Sequence, residues 1–161
     1  MTEEEAKKIA MDLFKKAYDL QITGELEDAV DNYKKSIEIF PTAEAHTFLG
    51  WTYSFQGRYD EAIAECKEAI KVDPEFGNPY NDIGAYLIER GKLDEAIPWL
   101  RKAMTAKRYE SYCYPHYNLG RVYEQKGNWL EALKCYETSI KTNPNYSLAK
   151  KAANRLKALF N

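Results

Sequence analysis

One six-residue block occurs four times in this chain: Gly24-Glu25-Leu26-Glu27-Asp28-Ala29, Gly57-Arg58-Tyr59-Asp60-Glu61-Ala62, Gly91-Lys92-Leu93-Asp94-Glu95-Ala96 and Gly127-Asn128-Trp129-Leu130-Glu131-Ala132. The glycines are 33, 34 and 36 residues apart. A period near 34 means stacked helical hairpins, so the chain reads as a solenoid and not as an ordinary globule. A solenoid offers a long concave surface, and such surfaces usually hold other proteins.

The hairpin follows from its parts. Each Gly sits between two helical segments, where a residue of positive φ ends the first. Each Ala opens the second helix, where a small side chain lets it lie close against the first. One turn further on the same face stand Tyr33, Cys66, Leu100 and Tyr136. The second helices end near Pro41, Pro74 and Pro144, because Pro cannot continue them. The third repeat has Arg108 there instead.

The first helices carry their own mark: His46-x2-Leu49-Gly50-x2-Tyr53, Tyr80-x2-Ile83-Gly84-x2-Leu87 and His116-x2-Leu119-Gly120-x2-Tyr123. Two large residues flank a Gly, where another helix packs closely. Repeat one matches less well, with Leu13-x2-Lys16-Ala17-x2-Leu20. Pro79 and Pro115 fall just inside helix starts, where a missing N–H costs nothing. Pro98 is placed in an opening turn. With these marks the chain resembles the tetratricopeptide repeat (TPR) family, whose pattern is Trp-x2-Leu-Gly-x2-Tyr, Ala-x3-Phe, then Pro. No repeat has Trp at the first place, and His stands there twice. The resemblance covers about residues 10–146. The fold expected is an all-α, right-handed superhelix of four TPR hairpins with a C-terminal capping helix. One domain, 1–161, would hold repeats at about 10–42, 43–76, 77–112 and 113–146, with the cap at about 145–160.

First helices are expected at about 3–22, 43–56, 77–90 and 113–126, and second helices at about 26–39, 59–71, 93–106 and 129–141. Thr2 caps the first one. In the cap, Leu148, Ala152, Leu156 and Leu159 form one apolar stripe. The junction between repeats three and four is longer, lacks Pro and holds Tyr109, Tyr112 and Tyr114. It either bulges from one rim or lengthens a helix that packs its own tyrosines.

The formal net charge of −2 argues against nucleic-acid binding, which wants a basic face. No apolar run approaches the ~18 residues that span a membrane, and the N-terminus has no signal-peptide core. Three cysteines without a Cys-x-x-Cys pair fit a reducing cytoplasm. Cys66 takes a core place, and Cys113, in the irregular junction, is expected to be the exposed thiol. His46 and His116 are two hairpins apart and read as hydrogen-bonded packing residues. No zinc spacing, phosphate loop or nucleophile elbow occurs. Asp28, Glu61, Glu95 and Glu131 recur in register, which marks architecture rather than catalysis. No enzyme activity, metal or cofactor is expected.

In TPR-like stacks the first helices line the concave side. The face left free by the Gly pattern offers Met11, Phe14, Tyr18 and Ile22, then Glu44, Thr47, Trp51 and Phe55. It continues with Asn78, Asn81, Ala85, Ile88 and Glu89, then Tyr114, Tyr117, Arg121, Glu124 and Gln125. Tyr18, Thr47, Trp51, Phe55, Asn78, Asn81, Tyr114, Tyr117 and Arg121 are the expected peptide-binding set. Tyr and Trp give contact area at small entropic cost. Asn78 and Asn81 suit an extended backbone, and Arg121 a carboxylate. Against this stands internal covering of the aromatics, above all Phe14 and Phe55. Chaperone-binding TPR domains clamp a C-terminal carboxylate with Lys, Asn, Asn, Lys and Arg. The matching places here hold Phe14, Tyr18, Phe48, Asn78 and Asp82, or, from repeat two, Thr47, Trp51, Asp82, Tyr114 and Asn118. The cations are missing, so heat-shock-protein tails are not the expected partner. An adaptor for a protein or peptide segment is expected; the alternative is a self-assembling scaffold, a homo-oligomer, or a constitutive subunit of a complex.

Overall fold

The structure is a computed structural model that describes residues 1–160. Among these residues there are nine α-helices: α1 (Glu3–Ile22), α2 (Leu26–Ile39), α3 (Ala43–Phe55), α4 (Tyr59–Val72), α5 (Asn78–Glu89), α6 (Leu93–Thr105), α7 (Cys113–Gln125), α8 (Trp129–Thr142) and α9 (Ser147–Leu159). Every boundary lies within two residues of the sequence expectation. Consecutive helices pack as the hairpins α1/α2, α3/α4, α5/α6 and α7/α8, and α9 lies on α8. Thr2 caps α1 as expected: its Oγ1 accepts from the Glu5 N–H at 3.1 Å, and its N–H donates to Glu5 Oε2 at 3.0 Å.

Two sets of glycines serve opposite ends. Gly57 has φ +73°, and a Cβ there would meet nothing within 4 Å, so the backbone alone demands glycine. Its N–H donates to the Ser54 carbonyl and the Arg58 N–H to the Tyr53 carbonyl, closing α3 with two bonds that satisfy orphan carbonyls. The other three turns repeat this arrangement. Gly50, Gly84 and Gly120 are instead helical, and their constraint is space. A Cβ would lie 2.9 Å from the Ala62 carbonyl oxygen, 2.4 Å from Leu100 Cδ2 and 2.5 Å from Tyr136 Cε1 respectively. In repeat one Ala17, fully buried, takes this place and shares a core cluster with Tyr33.

The second helix answers with three buried rows. Ala29, Ala62, Ala96 and Ala132, then Tyr33, Cys66, Leu100 and Tyr136, then Ser36, Ala69, Ala103 and Ser139 are all at most 2% exposed. Their spacing of four and three residues puts each set on one face. Where the middle residue is Tyr, the first helix supplies an acceptor. Tyr33 Oη donates to Gln21 Oε1 and Tyr136 Oη to Glu124 Oε1, each at 2.8 Å. Where the last residue is Ser, its hydroxyl donates across the hairpin, Ser36 to the Ala10 carbonyl and Ser139 to the Cys113 carbonyl, each at 2.7 Å. The four buried hydroxyls of these rows are thus paired, as burial requires.

Four expectations need correction. Cys113 is buried, 2% exposed, because it opens α7 against Ser139; Cys135 is the more accessible thiol. Pro98 lies in the second turn of α6, not the first, yet the helix runs through it. On α9 the buried stripe is Ala149, Ala152, Ala153 and Leu156, while Leu148 and Leu159 are exposed. The 106–112 junction is not a lengthened helix. It folds back beside residues 75–77, with the Arg108 N–H donating to the Glu75 carbonyl (2.9 Å) and the Gly77 N–H to the Arg108 carbonyl (3.1 Å). Tyr109 seals this contact, with its ring so close that a Cβ on Gly77 would sit 2.4 Å from it. Arg108, at the place where other repeats have Pro, reaches Asp73 and Glu44 and covers the Phe76 ring.

Gly120→Ala should lower stability by about 1–3 kcal/mol in urea titrations, since the fully buried Tyr136 ring cannot yield. Gly57→Ala should lose about 1–2 kcal/mol through backbone strain alone. A Gly120→Ala protein as stable as the native one would contradict the packing account. Gly77→Ala should act locally: hydrogen exchange at the Arg108 amide should speed up while that of α1 and α2 stays unchanged.

Candidate binding groove

The first helices α1, α3, α5 and α7 touch one another along the stack, and the second helices make no comparable contact among themselves. The first helices therefore form the inner wall. A cavity of about 390 Å³ opens there, and Tyr18 of α1, Thr47, Phe48 and Trp51 of α3, Asn78, Asn81 and Asp82 of α5, Tyr109 of the junction and Tyr114 of α7 line it. Six of the nine residues singled out from the sequence meet in it: Tyr18, Thr47, Trp51, Asn78, Asn81 and Tyr114.

Phe55, Tyr117 and Arg121 lie outside this cavity. Phe55 stacks at a tilt on Trp51, 5.0 Å between ring centres, and stays 56% exposed, so the alternative of internal covering does not hold for it. Phe14 is covered, edge-on to Tyr33 and Phe48. Tyr117 packs internally against Tyr136 and Tyr146. Arg121 donates to Glu89 Oε1 at 2.8 Å and to Asn118 Oδ1 at 3.1 Å, so a ligand carboxylate would compete with an existing ion pair. Asn118 in turn donates to Asn81 Oδ1 at 3.0 Å. Of the two asparagines only Asn78 presents an exposed amide; Asn81 is buried and committed to this chain of bonds.

Three lining residues were missed. Phe48 is the hub of the wall, edge-on to Phe14, Tyr18 and Trp51. It borders the core residue Leu49, so a strict division into two helix faces hides it. Tyr109 enters only because the junction folds back, which no periodicity announces. Asp82 precedes the core residue Ile83 and was visible only as a mismatched clamp place. Its side chain keeps a little surface toward the cavity but is crowded on every side. Burial pushes its carboxyl up to about 7, against a smaller pull downward from a hydrogen bond with Asn81. No cation among the described residues lies within ion-pair distance of it.

A second hollow of about 420 Å³ adjoins the first across Phe48 and is mostly apolar, with Ala10, Met11, Phe14 and Phe40 in its walls. The histidines play no part in either. His46 Nδ1 meets Glu65 Oε2 at 2.7 Å, and His116 is half-buried, which lowers its pKa. Among the described residues no group of three His, Cys, Asp or Glu side chains is placed to hold a metal ion. Among the described residues no helix is long and apolar enough to cross a membrane.

Comparison with known proteins agrees with this architecture. Tetratricopeptide repeat models match residues 43–76, 80–108 and 113–146. The small glutamine-rich tetratricopeptide repeat-containing protein 2 of Mycosarcoma maydis is 32% identical over 77 residues, 47% of this chain and 22% of that protein. The type IV pilus assembly protein PilF of Pseudomonas aeruginosa is 28% identical over 123 residues, 76% of this chain and 49% of that protein. A solved structure of Pseudomonas aeruginosa pilF superposes with a TM-score of 0.84 at 24% identity, over 95% of this chain and 68% of that one. The chain spans less than half the length of either of these two relatives. Three repeats matched in register, on four hairpins of one geometry, establish that the chain belongs to the tetratricopeptide repeat family.

Proposed function

We propose that the chain is a non-catalytic protein–protein interaction adaptor, which holds a peptide segment of a partner in the groove formed by α1, α3, α5 and α7. The carrying observation is the cavity itself: residues from all four repeats converge on it, and Tyr18, Phe48, Trp51 and Tyr114 are left partly open while only Tyr109 of its aromatics is buried. Tyr18 and Tyr114 are 40% and 42% exposed. Burying such a side chain against a ligand is worth about 1.5–3 kcal/mol before the costs of binding. Asn78 offers one amide for a peptide backbone, and the adjoining apolar hollow takes a hydrophobic side chain. The anionic tail of a chaperone does not suit a groove that carries Asp82 and has its Arg121 already paired. A reducing cytoplasm, where three unpaired thiols are stable, belongs to the same proposal.

A second reading has one observation behind it. Trp129, Leu130, Leu148 and Leu159 are 46–65% exposed on α8 and α9, and the similar PilF is named as an assembly protein. In that reading the C-terminal end contacts further copies or a constitutive partner. Sedimentation across a concentration range would then show growing particles, lost in Leu130→Glu; a constant monomer removes this reading.

The groove is tested with a displayed random-peptide library containing free C-termini and internal segments. Peptides selected on the native protein should bind Trp51→Ala/Tyr114→Ala at least about tenfold more weakly, with the fold intact by circular dichroism. Equal binding to both proteins would rule the groove out.

A further inference from the structure

The cavity has a feature that a general peptide groove does not need: one carboxyl group, without a counter-ion, among aromatic rings. We propose that it is a cation pocket, which takes the ammonium or guanidinium group of a lysine or arginine side chain of the bound segment, with Asp82 as its counter-ion and Tyr18, Trp51 and Tyr114 as its ring faces. The inference rests on the groove being the binding surface.

Among the described residues Asp82 is the only acid lining the cavity, and no base lines it. The cations of the neighbouring elements are spent elsewhere. Arg121 pairs with Glu89, and Arg108 with Asp73 and Glu44. The aromatic walls, though edge-on or tilted against Phe48, Phe55 and Tyr146, hold no cation either. Among the described residues the cation–π contacts fall on Phe40, Tyr53, Trp99 and Phe76, and none on Tyr18, Trp51 or Tyr114. A ring face and a carboxylate both attract positive charge, and both act more strongly where water is excluded. An anionic side chain is repelled by the same arrangement. An apolar side chain would strip water from Asp82 and give nothing back. A lysine or arginine is the one common side chain that satisfies both walls, its stem lying along the rings and its head on the carboxylate.

Occupancy must then depend on pH, with a definite sign. The free carboxyl is raised to about 7 by burial. A seated cation favours the ionised form, so affinity rises as pH climbs through that value and levels off above it. The other titratable groups around Asp82 are Cys66 of α4, Tyr86 of α5 and Tyr109 of the junction. All three are pushed upward, chiefly by burial and in part by Asp82 itself, and are uncharged at neutral pH. Tyr18 and Tyr114 face the cavity from α1 and α7. Glu89 is held by Arg121, and His46 by Glu65.

The test uses the same displayed library, read by sequence. Peptides that need the groove, judged by their loss on Trp51→Ala/Tyr114→Ala, should share a Lys or Arg at one position. A synthetic peptide of the enriched sequence should bind Asp82→Asn at least about tenfold more weakly than the native protein. Replacing its basic residue by norleucine should cost the same on the native protein and nothing further on Asp82→Asn. Affinity of the native protein should increase at least about tenfold between pH ~5.5 and pH ~8, and stay flat for Asp82→Asn. Groove-dependent peptides without a common basic residue, or a norleucine peptide that binds equally well, overturn the cation pocket and leave the groove standing. A library without groove-dependent binders overturns the groove, and this inference with it.

Discussion

Leu100 rests on Gly84 where a single added carbon would be 2.4 Å away, and the whole stack depends on contacts of this kind. Each hairpin closes because one residue of the first helix has almost no side chain and one residue of the second fills the space. Glycine in a helix interior costs about 1 kcal/mol relative to alanine. That loss is offset because close approach lets a full Leu, Cys or Tyr be buried. The distance between the two helices of a hairpin then fixes how the next hairpin sits, since α3, α5 and α7 each pack on the second helix before them. The inner wall follows from this spacing, with nothing specific to a ligand built into it.

The proposed binding role falls to residues outside that hairpin contact. On α3 and α5 the core takes Leu49, Tyr53, Ile83 and Leu87. Beside them on the same helices Thr47, Phe48, Trp51, Asn78, Asn81 and Asp82 line the cavity. A cross-link keeps them in place. Glu89, Arg121, Asn118 and Asn81 form a hydrogen-bonded chain from α5 to α7 and back, ending beside Asp82. Among these neighbours burial pushes the Asp82 carboxyl up to about 7.

Most of the fold was legible in the sequence because it is periodic. A mark that recurs four times carries its own register, so Gly57, Ala62 and Cys66 announce helix end, helix start and core. What was illegible is what happens once. The 106–112 segment has no counterpart in the other repeats, and its backbone pairing with 75–77 depends on Gly77 lying where Tyr109 needs room. Cys113 is read as exposed from its place in this irregular junction, but is buried. In the groove, Tyr18, Trp51 and Asn78 were legible as side chains that packing did not require. Phe48 and Asp82 were not, because each sits next to a core residue and a helix wheel assigns it to the border. Tyr117 and Phe55, alike in the sequence, part ways in the structure: one packs on Tyr136 and Tyr146, the other only on Trp51.

The most direct measurement is the carboxyl titration of Asp82, followed by its side-chain ¹³C resonance in the free protein and with a groove-selected basic peptide bound. The account predicts a midpoint near 7 in the free protein and a fall toward the ordinary carboxylate range, about 4, in the complex. A midpoint near 4 in both states, or one near 7 that the peptide leaves unchanged, would contradict it.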